Sequence, residues 1–223
     1  MITAEDVYEK YIEKSEKNGT NDNFSTSKGK CASLYNELAP RLIKFFVNNR
    51  NLDNLKDIQV LLVDDKNLEA GPKDNKSSKF KLPKDFLAWS SERAIASKGK
   101  CKQQDISLFE IRDDDRRSII GDSFFKPSFE YRETPFNYTE NFIKVYKEEG
   151  MDINNVYLTY YKYPKKIELQ DPDNPESSFS QVELELPEHI IDRIVSAMVG
   201  DFKISNADPS FQTEKVRQNE NIT

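Results

Sequence analysis

Glycine, cysteine, histidine and tryptophan are all scarce in this chain, and each scarcity excludes a kind of chemistry. Seven glycines in 223 residues leave few of the flexible turns that cradle nucleotide phosphates, and no Gly-x-x-x-x-Gly-Lys-[Ser/Thr] run is present. Cys31 and Cys101 are the only cysteines, far apart and outside any C-x-x-C pair, a pattern that fits a reducing cytoplasm rather than a disulfide scaffold. His189 is the single histidine, so no Ser/His/Asp or Cys/His set stands out. No stretch approaches the ~18–20 apolar residues that span a bilayer. The first residues lack a basic patch followed by an apolar core, so the expectation is a protein made and kept in the cytosol, away from membranes. Long Lys/Arg blocks are missing too, and 33 basic against 39 acidic groups give a net charge of −6. A phosphate-gripping face is therefore not indicated.

What is present is enough for a core. Hydrophobic residues make up 36% and aromatics 11% of the chain, sufficient for one large domain or two small ones. Charged residues reach 32% and mean hydropathy is −0.78, which implies much solvated or intersubunit surface around a compact centre. Such a composition suits a component of an assembly better than a self-contained enzyme.

Along the chain, Thr3 and Asp6 form a capping-box pattern ahead of Val7, Tyr8, Tyr11 and Ile12 at helical spacing. A loop at 19–30 precedes a second helix with an apolar face of Leu34, Tyr35, Leu38, Leu42, Phe45 and Phe46, bent at Pro40. Leu52, Leu55 and Ile58 add a short helical turn, and Val60 to Val63 reads as a buried strand. Gly71 to Ser78 reads as a hairpin or surface loop. Pro83 opens a predicted helix over Lys84 to Ser97, with Phe86, Leu87, Trp89, Ile95 and Ala96 available for packing. Beyond Gly99 the period changes to two: Asp105 to Arg112, Phe129 to Arg132, Phe142 to Tyr146 and Val156 to Tyr163 read as strands, with a short helix over Asp113 to Ile120. The clearest helix runs from Leu186 to about Phe202 with Ile190, Ile191, Ile194, Val195 and Met198 on one face.

The fold class expected is α+β: helices over 1–59 and 83–98, an antiparallel β insertion over about 100–170 and a closing helix over 186–203, as one domain of residues 1–204 in which the first and last helices pack together. Residues 205–223 are expected to form an extended C-terminal arm. Its segment from Asn206 offers only Ala207, Phe211, Val216 and Ile222 as apolar groups, too few to offset roughly 1–2 kcal/mol of backbone ordering per residue. A neighbouring subunit or partner is the surface expected to fix it. Stretched out, it reaches about 60 Å at ~3.3–3.6 Å per residue.

Candidate chemistry is weak. His189, beside Pro187 and Glu188, reads as a helix-start surface residue rather than a metal ligand or general base. The run Asp113-Asp114-Asp115, next to Arg116 and Arg117, reads as a solvated helix start, because consecutive carboxylates on one turn point in different directions; a Mg²⁺-dependent nuclease is the competing reading. Ser-Lys-Gly-Lys-Cys occurs at Ser27–Cys31 and Ser97–Cys101, but the first copy precedes a helix and the second a strand, so they present their amides differently. Tyr157, Tyr161 and Tyr163 share a face of one strand, which suits a subunit contact or a stacking platform for a sugar or base.

Three stretches carry a likeness: Leu82-Pro-Lys-Asp-Phe-Leu-Ala-Trp-Ser-Ser91 with Ala96-Ser-Lys-Gly-Lys-Cys101; Lys126-Pro-Ser-Phe-Glu-Tyr-Arg-Glu-Thr-Pro-Phe136; and Val156-Tyr-Leu-Thr-Tyr-Tyr-Lys-Tyr-Pro164. Leu186-Pro-Glu-His-Ile-Ile-Asp-Arg-Ile-Val195, Phe211-Gln212 and Lys215-Val-Arg217 continue it. Over roughly residues 30–217 the chain resembles structural proteins of crAss-like and related podovirus-type bacteriophages, and in outline the adaptor, or head-to-tail connector, that forms a ring beneath the portal. The resemblance implies a non-enzymatic virion protein at the head–tail junction with no cofactor or metal. It implies a homo-oligomeric ring, commonly twelvefold, that joins portal to tail and lines a channel through which double-stranded DNA passes without specific binding. Contacts with the portal or a neighbouring subunit are expected from Phe211, Val216, Arg217 and Ile222 in the arm, with Arg217 as a charge-assisted anchor, and from Tyr157 and Tyr161. A heterologous ring buries a different patch on each side of every subunit. A net acidic channel would repel phosphate and let DNA slide. The alternatives are another tail ring component that does not touch the portal, or a carbohydrate- or nucleic-acid-binding module.

Overall fold

The computed structural model describes residues 2–17, 27–122, 125–169 and 183–205. The chain divides into two compact units, one drawn from both its ends, up to Leu61 and from Pro164, and one formed by Leu62–Tyr163. Both helices and a large sheet are present, so the class is α+β.

The first unit is helical: α1 (Ala4–Lys17), α2 (Lys28–Asn49), α3 (Leu52–Asp57) and α5 (Glu188–Ser205). The capping box at the start of α1 forms as expected: the Thr3 backbone N–H and hydroxyl donate to Asp6 Oδ2 at 2.7 and 2.9 Å, and the Asp6 N–H donates back to Thr3 Oγ1 at 3.3 Å. These donors, the Thr3 backbone N–H first, hold the Asp6 carboxyl below its ordinary value. Val7 and Tyr11 are wholly buried, as are Ile190, Ile191, Ile194, Val195 and Met198 of α5, each worth ~1.5–3 kcal/mol of burial. Above that apolar seam Lys10 Nζ bridges Glu188 and Asp192, and Lys14 Nζ donates to the Asp192 carbonyl at 2.9 Å. The first and last helices therefore pack together, as the two apolar stripes require. In α2 the buried row is Cys31, Ala32, Tyr35, Ala39, Ile43 and Phe46, while Phe45 is 53% exposed. The inner face is rotated by about one position from the expected one, because small Cys31, Ala32 and Ala39 permit closer approach than Leu34, Leu38 and Leu42.

The second unit is an eight-stranded sheet: β1 (Leu62–Asn67), β2 (Glu69–Lys73), β3 (Ser77–Lys81), β4 (Phe86–Lys98), β5 (Gln104–Glu110), β6 (Glu133–Thr139), β7 (Phe142–Tyr146) and β8 (Met151–Lys162), in the order β1-β8-β4-β5-β6-β7-β3-β2. Pairings among the described residues are antiparallel except β5 with β6, which is parallel. The 111–132 crossover that a parallel pair needs carries α4 (Arg116–Gly121).

The two outermost strands of that order, β1 and β2, are joined by Leu68 alone. Leu68 N–H donates to the Val156 carbonyl of β8 at 2.9 Å, and Lys73 Nζ of β2 reaches the Ile153 carbonyl of β8. Residues 62–73 thus act as one bent strand that pairs with β8 on one side and β3 on the other, and the sheet curls back on itself as a small barrel. Its inside is filled as such barrels require: Phe80, Ala94, Ala96, Ile106, Phe136, Ile143, Val145, Ile153, Val156 and Leu158 have little or no exposed surface.

Three local expectations are corrected. Residues 84–97 form no helix; they are most of β4, laddered to β8 along its length and to β5 over Arg93–Ala96. The helical reading rested on Pro83 as a first helical residue and on Phe86, Leu87, Trp89, Ile95 and Ala96 as a packing set, which pairing with the neighbouring strands overrides. Register shifts at Phe86/Ala88, Trp89/Ser91 and Ile95/Ala96 also hide the period of two. The sheet accordingly begins at Leu62, not near residue 100. Phe129 to Arg132 is a turn, not a strand: Arg132 sits in the left-handed region at φ 57 and Tyr131 N–H donates to Ser128 Oγ, so the ladder starts at Glu133. Gln59–Leu61 is a 3-10 turn and the strand expected from Val60 starts at Leu62. The hairpin expected within Gly71 to Ser78 is present as β2 and β3, closed by Asp74 accepting from the Lys76 and Ser77 amides at 2.7 and 2.6 Å. The arm expected over 205–223 lies outside the described residues beyond Ser205.

Candidate functional site

One end of the barrel interior departs from an apolar filling. Along β4 the inward row runs Ala96, Ala94, Glu92; along β5 it runs Ile106, Leu108 and ends at Glu110, which is exposed; along β6 Phe136 is followed by Tyr138; along β8 Val156 and Leu158 are followed by Tyr160. Glu92 lies opposite Leu158 in the β4·β8 ladder, so the strand alternation places its carboxylate on the core face. Phe86, at the start of β4, completes the group: its ring centroid is 5.9 Å from that of Tyr138 and 5.8 Å from that of Tyr160. The Tyr138 ring stands edge-on to Phe136 at 5.3 Å. Trp89 lies opposite Tyr160 in the β4·β8 ladder, and Trp89 and Leu82 both pack against the barrel core.

The polar atoms of this group are unequally satisfied. Tyr160 OH donates to Asp85 Oδ1 at 2.9 Å; burial first, and Asp85 second, push its phenol up to about 12. Glu92 Oε2 and Tyr138 OH are shielded from solvent and have no hydrogen-bond partner. Among the described residues no basic side chain pairs with Glu92 or Glu110. Burial, and then the like charge of Glu110, raise the Glu92 carboxyl to about 7. The Tyr138 phenol is pushed up by burial and by both carboxylates. A carboxylate oxygen and a phenol hydroxyl, both shielded, unpartnered and set among aromatic rings, are an arrangement that folding alone does not favour. Sequence reading missed it because Glu92 fell in a segment read as helix. In β5 the Ile106, Leu108, Glu110 alternation was legible, but Glu110 is exposed at the end of the strand and gave no sign of Glu92.

The residues singled out from sequence are placed elsewhere. Tyr157 lies on the outer face of β8, where the Arg93 guanidinium sits 4.4 Å over its ring while donating to Asp65 at 2.7 and 3.1 Å and to Asp105 at 2.9 Å. Tyr161 is buried and Tyr163 is 45% exposed, so the three tyrosines do not form one continuous exposed row. Phe211, Val216, Arg217 and Ile222 lie outside the described residues. His189 stands in the first turn of α5 with its Nε2 3.0 Å from Asp57 Oδ2 and over half its side chain exposed, as a helix-start surface residue would.

An open hollow of about 1460 Å³ on the second unit is lined by Asp113, Asp114, Lys126, Lys147, Glu149 and Asp152 among others. Its charges are mixed. Asp113 accepts from Asn137 Nδ2 at 2.6 Å, Asp115 precedes α4 without a side-chain capping hydrogen bond, and no group of three His, Cys, Asp or Glu residues is placed to hold a metal among the described residues. The two Ser-Lys-Gly-Lys-Cys copies differ as expected: Ser27 caps α2, accepting from the Lys30 N–H at 3.3 Å, whereas Lys98 ends β4 and Gly99 turns at φ 56. Cys31 is buried and its thiol is pushed up to about 12 by desolvation, and Cys101 is exposed.

No helix of the described residues is long and apolar enough to cross a membrane. No known protein family matches this chain, and no curated protein matches it.

Proposed function

We propose that this chain is a non-enzymatic structural protein of a bacteriophage virion, a homo-oligomeric connector ring at the head–tail junction that links portal to tail and surrounds the DNA exit channel. The observation that carries the reading is the likeness of residues 82–101, 126–136 and 156–164 to such proteins. The architecture is compatible with it. A helical unit drawn from both ends of the chain carries an inserted barrel, and α5 leads at Ser205 directly into the apolar-poor residues 206–223. Net acidity suits a wall past which phosphates slide.

In this reading Phe211, Val216, Arg217 and Ile222 anchor the arm on the portal or an adjacent subunit. Particle mass of the purified protein, alone and mixed with a portal, tests it: a discrete ring is expected, and a strict monomer under both conditions overturns it. Truncation after Asn206 should leave the circular dichroism spectrum and melting temperature almost unchanged while abolishing the ring. Normal assembly of the truncated protein would remove the arm as anchor. A ring elsewhere in the tail is separated from a connector by its axial position in a particle reconstruction.

A further inference from the structure

We propose that the barrel end formed by Phe86, Glu92, Glu110, Tyr138 and Tyr160 is a binding site for an organic cation, an alkyl ammonium or guanidinium group, either free or at the tip of a lysine or arginine side chain. The proposal rests on the geometry of that end and not on the connector reading.

Four observations converge on a cation. Glu92 Oε2 is shielded from water and accepts no hydrogen bond, although its inward neighbours Ala94 and Leu158 show that an apolar residue would fill the position. A second carboxylate, Glu110, follows Leu108 on the adjacent strand and is exposed at the rim of this end, near enough for its charge to act on Glu92. The hydroxyl of Tyr138 is likewise shielded and unpartnered. Phe86, Tyr138 and Tyr160 cluster within 6 Å of one another through Phe86, and aromatic faces attract a cation most strongly where water is excluded. Tyr35 and Ser78 also carry buried hydroxyls without partners, but those are neutral and are not accompanied by a pair of carboxylates.

Other ligand classes fit less well. A phosphate or carboxylate ligand would be repelled by two acids. A hard divalent ion takes six or more oxygens, whereas this end offers two carboxylates among ring carbons. A neutral sugar could donate its hydroxyls to the carboxylates and accept from Tyr138 OH, but it would leave their negative charge uncompensated beside the rings. An ammonium or guanidinium supplies what is missing, donors with positive charge, and its alkyl stem suits the surrounding rings.

Trp89 is the only tryptophan of the chain and lies opposite Tyr160 in the β4·β8 ladder, so its fluorescence reports on this end of the barrel. The full-length protein would be titrated at pH 8 with n-butylammonium, n-butylguanidinium, and the N-acetyl methylamides of lysine and arginine. 1-Butanol and KCl at matched ionic strength serve as controls. A saturable fluorescence change with the cations and none with the controls is expected. Equal affinity for the free amines and the capped amino acids indicates a free amine as ligand; tighter binding of the capped amino acids indicates a protein side chain. Glu92→Gln, which keeps the shape and removes the charge, should weaken binding tenfold or more, and Tyr138→Leu should do the same by removing a ring. Amide and aromatic chemical-shift changes in the unmodified protein, mapped on Phe86, Glu92 and Tyr138, provide the same test should either variant not fold. Absence of a saturable response, an unchanged affinity in folded Glu92→Gln, or shift changes confined to other regions would overturn the proposal.

Discussion

Glu92 is where a single side chain most clearly opposes the fold around it. Its carboxyl is raised to about 7 by burial and by Glu110, so the folded protein holds that proton more tightly than the unfolded chain does. The penalty is absent below the ordinary carboxylate value of 4.5, grows as pH rises, and is complete above about 7. Glu92→Gln should therefore match the parent near pH 4 and exceed it at pH 8, by roughly 1–2 kcal/mol after allowance for its partial exposure. Thermal melts at both pH values check this; equal melting temperatures at pH 8 would mean that the carboxylate is stabilised there. Glu110, Tyr138 and the Tyr160–Asp85 pair complete the titratable surroundings. None of them supplies a positive charge, which is why the sign is unambiguous. At this scale the sequence was informative where the pattern was local, as in the Thr3–Asp6 box. It was silent on Glu92, because whether a carboxylate is buried depends on strands from other parts of the chain.

Among the elements, those with a one-sided apolar stripe were legible in advance. Val7 and Tyr11 in α1, and Ile190 to Met198 in α5, fix both the helices and their mutual packing, and β7 was read from Phe142 to Tyr146 as it stands. β4 was not. Its alanines, serines and charged residues resemble a helix, and three shifts of register obscure its alternation; only the ladders from β5 and β8 make it a strand. Those ladders predict its dynamics. Amides of β4 from Arg93 to Ala96, paired on both flanks, should be among the slowest to exchange with deuterium in the second unit, slower by at least tenfold than those of β1, whose residues 64–67 are exposed. Comparable exchange in the two strands would argue against the double pairing. Closure of the barrel was equally unreadable, since it depends on residues 62–73 pairing with both β8 and β3, which lie far apart in sequence.

For the molecule as a whole, the division into a helical unit and a barrel explains how modest hydrophobicity suffices. Each unit has its own buried set, one around α1, α2 and α5 and one inside the sheet. The domain scheme read from sequence was one domain with a β insertion over about 100–170, whereas the sheet runs from Leu62, because β1 to β4 were not recognised as strands of it. The measurable expectation is autonomy: residues 62–163 expressed alone should give a cooperative thermal transition and a β-type circular dichroism spectrum, and a spectrum of unfolded chain would show that the barrel needs the remaining residues. The register of β1 with β8 bears directly on this. Leu62 is paired with Tyr161, so the chain enters and leaves the barrel through neighbouring positions, about 5 Å apart across an antiparallel ladder. Evolution and the protein engineer share that doorway: a sequence spliced in at Leu61 and out at Pro164 can be lost, lengthened or exchanged for another compact module whose ends also meet, without asking the flanking helices to span a new distance.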